Sequence, residues 1–121
     1  MHEPDPPTLD ESALADVSAS VADDAEFLAD LVRTYLADGP THLAAIAEAV
    51  AEDDAEALVR PAHTLKSSSA TVGAMRISAR ARHIEMAART GTIDEATRND
   101  AGQLLDDWNA TTEALEGWMT R

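Results

Sequence analysis

The sequence predicts an all-α fold, an antiparallel four-helix bundle with an additional short N-terminal helix. Three observations lead there. Apolar residues recur at helical spacing along most of the chain, with no strand-like alternation. Hydrophobic residues make up 45% of the 121 positions but aromatic ones only 3%, a composition that suits close-packed helices better than a sheet. The breaks between periodic segments are short and carry Gly, Pro or capping residues, as the turns of an up-down bundle do.

Each element has its own signals. Residues 1–8, with Pro4, Pro6 and Pro7, read as a disordered lead-in, and residues 9–121 as one bundle domain. A short helix is expected over about residues 10–18. Asp23 or Asp24 caps the next, which stripes Phe27, Leu28, Leu31, Tyr35 and Leu36 on one side and stops at Gly39-Pro40. Leu43, Ile46, Ala47 and Val50 then mark a helix over about residues 40–52. Asp53 and Glu56 resemble a capping box opening a helix that runs to about Val72, where Gly73 marks an end or a close backbone approach. Ile77, Ala81, Ile84 and Ala88 stripe the following helix, which Gly91 closes. Thr92 with Glu95 opens the last helix, lined on its inner face by Leu104, Leu105, Trp108, Leu115 and Trp118.

Charge narrows the function. The formal net charge of −14 argues against nucleic acid and against anionic membrane surfaces as partners. Its distribution says more than its total. Arg60, Lys66, Arg76, Arg80, Arg82 and Arg89 crowd into residues 60–89, where Glu85 is the only acid; that segment carries +5 and the remainder −19. Such segregation reads as a docking surface for an acidic partner, with Arg60, Arg76 and Arg80 as candidate contacts. There is no cysteine, and no apolar run approaches the roughly 20 residues of a membrane span. A soluble, cytoplasmic, monomeric protein is the expectation. No Gly-rich phosphate loop is present. His42, His63 and His83 lack the three- or four-residue spacing of a metal set, so no metal ligand is assigned.

His63 is the residue that demands an account. On a helix wheel Leu58, Leu65 and Val72 form the apolar stripe of its helix, and His63 lies on the opposite side. Val59, Arg60, Lys66, Ser67 and Ala70 share its face. An outward imidazole with small neighbours at Ser67 and Ala70 is sterically open. A neutral imidazole is nucleophilic near neutral pH, and Lys66 adds a cation able to hold an anion beside the ring. Nucleophile, cation and open approach together suit phosphoryl acceptance.

The stretch "AHTLKSSSATVGA" resembles the signature of histidine-containing phosphotransfer domains, in which an exposed histidine on a bundle helix carries a phosphoryl group. "EFLADLVRTYLADGPTHLAAIAEAV" resembles the preceding helices of that family and "RHIEMAARTG" the following one, so the likeness spans roughly residues 10–120. By this resemblance His63 is the phosphoacceptor, Lys66 stabilises the phosphoryl group, and Ser67, Ala70 and Gly73 shape the site. Ser67 stands where many members have glycine. The resemblance further implies that response-regulator receiver domains, or a hybrid histidine kinase, are the partners. The receiver would supply Mg²⁺ and most of the catalytic groups, with no cofactor held by this chain, so that the protein is a phosphocarrier and not an enzyme. The rival expectation is a helical interaction module that binds an acidic partner through the basic face without phosphoryl chemistry.

Overall fold

The computed structural model describes residues 6–20 and 25–120. Among them are five helices and no strand: α1 (Glu11–Ser20), α2 (Ala25–Ala51), α3 (Ala55–Thr71), α4 (Met75–Arg89) and α5 (Glu95–Met119). α3 packs against both α2 and α4, α5 closes the bundle between α4 and α2, and α1 lies against α2 and α3. The core is aliphatic, as the composition requires. Leu28, Val32, Ile46, Leu58, Leu65, Ile77, Ile84, Leu104 and Leu115 are buried in one cluster, with Leu14 joining it from α1.

Where two helices were expected around Gly39-Pro40 there is one, α2, of 27 residues. The dipeptide is a local breaker, but a tertiary contact takes Gly39 for another use. The indole of Trp108 packs where a Cβ at Gly39 would stand, so the glycine serves close approach and not termination. Tyr35, whose ring centre lies 5.3 Å from that of Trp108, fills the same layer. Its hydroxyl meets Ser69 Oγ at 2.7 Å, pinning α2 to α3, and burial pushes its pKa up to about 12 in spite of that bond. Merging the two segments is what makes the bundle four-membered.

The caps fall one or two residues from the sequence expectation. Asp54, not Asp53, caps α3 by accepting from the Ala57 amide at 3.0 Å, and Asp53 turns the chain with φ of 55°. Asp94, not Thr92, caps α5, accepting from the amide of Thr97 at 2.9 Å and from its hydroxyl at 2.7 Å. Gly91 does follow the end of α4, with φ of 90°. α3 continues through Pro61. Phe27 and Leu105, expected on inner faces, are 49% and 62% exposed. The lead-in expected over residues 1–8 lies outside the described residues as far as residue 5; within them the Pro6 carbonyl accepts from Arg76 Nε at 3.2 Å.

Candidate functional site on the α3–α4 face

Burial of Leu58, Ala62, Leu65, Ser69 and Val72 fixes the rotation of α3 and turns His63 outward, its side chain 54% exposed. Ser67 and Ala70 are exposed beside it, so the ring is approached past small side chains. On α4, burial of Ile77, Ala81, Ile84 and Ala88 aims Ser78 and Glu85 at α3. Ser78 Oγ donates to the Lys66 carbonyl at 2.9 Å, which sets the register of the two helices at the level of the site.

Glu85 organises this face. Its side chain is only 5% exposed. His63 Nδ1 lies 2.9 Å from Oε2, and Lys66 Nζ lies 2.7 Å from Oε1 as an ion pair. Arg89, one turn further along α4, donates to Oε2 from Nε at 3.0 Å and Nη2 at 2.6 Å. Burial alone would raise the pKa of Glu85. The contacts with Lys66, Arg89 and His63 outweigh it and hold the carboxyl at about 2. An ionised carboxylate can only accept, so the hydrogen bond assigns the proton of neutral His63 to Nδ1. Nε2 is then left with its lone pair, across the ring from Glu85.

Of the residues predicted to form the site, His63, Lys66, Ser67 and Ala70 share this face. Gly73 does not: it lies ten residues, about 15 Å of helix axis, from His63. It closes α3 with φ of 77° and accepts from the Asp10 amide at 2.6 Å, and a Cβ there would strike the Asp10 carbonyl. Its role is to admit the α1 lead-in, not to shape the histidine's surroundings. Arg76 and Arg80 also depart from the docking role expected of them. Arg76 reaches Pro6, and Arg80, 14% exposed, pairs with Asp100 at 3.1 Å and with Asp107. Arg60 and Arg82 are exposed and, among the described residues, make no ion pair, so they are the free cations flanking the site.

Two functional candidates escaped sequence reading. Glu85 stood out only as the lone acid of a basic run, and Arg89 only as one more positive charge. The available signal was that Glu85 is seven residues after Ser78 and next to buried Ile84, a place where an acid needs partners. His42, His63 and His83 do not converge, and among the described residues no group of three His, Cys, Asp or Glu side chains could hold a metal ion. No helix among the described residues is long and apolar enough to cross a membrane.

The Hpt domain family model matches residues 30–118, which include all of α3 and α4. The chain belongs to the Hpt domain family. Two solved structures share the fold of this Hpt chain. Histidine-containing phosphotransfer protein B from Pseudomonas aeruginosa PAO1 superposes with a TM-score of 0.83 at 23% identity, covering 95% of this chain and 96% of that one. The Hpt domain of the Hpt sensor hybrid histidine kinase from Shewanella gives 0.76 at 18% identity, covering 93% and 94%. A comparison with curated proteins gives no match. The role of an Hpt domain is phosphotransfer in two-component signalling, and that is the general role of this chain.

Proposed function

We propose that the protein is a phosphorelay intermediate, in which His63 Nε2 takes a phosphoryl group from the aspartyl phosphate of one receiver domain and passes it to another. The observation that carries the reading is the His63–Glu85 hydrogen bond at 2.9 Å, which leaves the nucleophilic nitrogen outermost. The Nε2 lone pair attacks phosphorus, and the bond from phosphorus to the aspartyl oxygen breaks. The carboxylate leaves with that electron pair. No proton has to depart, because Nε2 carries none. The ring becomes a phosphoimidazolium whose positive charge is shared with Nδ1–H, and the ionised Glu85 faces that charge. Return of the phosphoryl group to a second aspartate reverses each step.

Lys66, one turn beyond His63, supplies a cation for the phosphoryl oxygens. The receiver is expected to contribute the Mg²⁺ and the aspartate; a response regulator or a hybrid histidine kinase would carry it. Arg60 and Arg82 flank the histidine and suit electrostatic steering of an acidic receiver site, which favours fast and transient encounters. The relay is proposed to run in the cytoplasm, with this chain as a monomer.

The test is to incubate the protein with a ³²P-labelled receiver and look for acid-labile, base-stable label. The parent should take up label and His63→Gln none, while the variant's stability stays within about 0.5 kcal/mol of the parent, as for an exposed position. Label that persists in His63→Gln, or a parent that binds the receiver and never labels, would replace this reading with the interaction module.

A further inference from the structure

Lys66 faces a conflict of position. Its ammonium sits 2.7 Å from Glu85 Oε1, and the same carboxylate holds His63 by Nδ1. A phosphoryl group on Nε2 would stand across the imidazole from Glu85. Lys66 therefore reaches the phosphoryl oxygens only by leaving the carboxylate. Glu85, 5% exposed, would lose a full counter-ion at that moment, when the ring of His63 shares its own positive charge with the nitrogen that bears the phosphoryl group. A buried carboxylate short of cations is unfavourable.

Arg89 resolves the conflict. Its guanidinium makes two N–H contacts with Oε2, at 3.0 and 2.6 Å, from the last turn of α4. The C-terminal end of the helix favours its charge, and it approaches the oxygen that Lys66 does not use. We propose that Arg89 is a positioning residue, which keeps Glu85 paired so that Lys66 is free to move from that carboxylate to the phosphoryl group on His63. The inference rests on the phosphotransfer reading and deepens it. It also reassigns Arg89 from the docking charges to the chemistry.

Phosphoramidate, a small donor that needs no docking surface, separates the two claims. Its P–N bond breaks, ammonia leaves, and the phosphoryl group goes to His63. Labelling is followed together with the side-chain NMR resonances of Lys66. In the parent, labelling should shift the Lys66 resonances. In Arg89→Ala they should stay in place and the labelling rate should fall about tenfold, the scale of one charge contact missing from the transition state. Arg89→Lys should restore most of both. In a Glu85→Gln background no counter-ion is needed, so adding Arg89→Ala should change the rate by less than about twofold. An equal Arg89→Ala defect in both backgrounds, or a normal Lys66 shift in Arg89→Ala, would overturn the inference while leaving His63 as the acceptor. A parent that phosphoramidate cannot label at His63 would overturn both.

Discussion

The two sides of α4 handle charge in opposite ways, although both draw on the same basic stretch of sequence. Toward α5, Arg80 is, among the described residues, the single cation paired with two acids, Asp100 and Asp107, and its side chain is 14% exposed. Toward α3, one buried acid, Glu85, meets Lys66, Arg89 and His63, and the histidine remains 54% exposed. The first arrangement is closed. Its one cation is shared by two carboxylates, which leaves the cluster with an excess of acid. Desolvation pushes the guanidinium pKa down, and the pairing with Asp107 and Asp100 more than restores it, for a net rise. The second keeps a surplus of positive charge beside an exposed imidazole. A cluster that only joins helices can leave its acids in excess, whereas a site suited to an anion needs its cations in excess.

The largest expected effect sharpens the open side. Glu85 has an ordinary pKa of 4.5 and is held at about 2 in the fold. A depressed carboxylate contributes stability above its unfolded pKa and loses it as pH falls through the folded one. The parent should therefore lose stability relative to Glu85→Gln between about pH 4.5 and about 2, with a difference slope of up to about 1.4 kcal/mol per pH unit, one proton's worth. Chemical denaturation of both proteins across that range measures it. Parallel curves would mean that the carboxylate is not held ionised by its partners.

On the closed side, Arg80→Ala should strand Asp107 at the α4–α5 seam and lower stability by about 1–3 kcal/mol, read from urea midpoints. Transfer rates and their salt dependence should stay at parent values, since Arg80 is turned toward α5 and not toward His63. A variant of parental stability whose transfer has become insensitive to salt would return Arg80 to the docking surface.

The smallest effect distinguishes a flanking charge from the site itself. Arg60→Ala should slow transfer from a receiver modestly at low salt, and the difference should close as salt rises, because exposed charges are screened beyond about 8–10 Å. It should leave labelling by phosphoramidate unchanged. A salt-resistant defect would put Arg60 in contact with the reacting groups.

How far the sequence could be read depended on how many neighbours decided each residue. His63 could be placed because the apolar positions of α3 set its rotation almost alone, and Leu58, Leu65 and Val72 are all buried opposite it. Two cations of α4 lie at its borders with different helices, Arg80 toward α5 and Arg89 beside Glu85 toward α3, and nothing along the chain told Arg80 from Arg89. Gly39-Pro40 was misread for a similar reason. Its local signal is a break, and Trp108, 69 residues away, overrides it.

The sequence by itself determined the helical fold, the outward face of His63 and the adjacent lysine, because periodicity and i to i+3 spacing act within one helix. Only the tertiary structure decided which carboxylate receives the histidine and which cations are consumed by other acids. Those outcomes depend on side chains 22 to 27 residues apart meeting across packed helices, as His63 meets Glu85 and Arg80 meets Asp107. Desolvation then fixes their charge states, and desolvation exists only once the helices have closed.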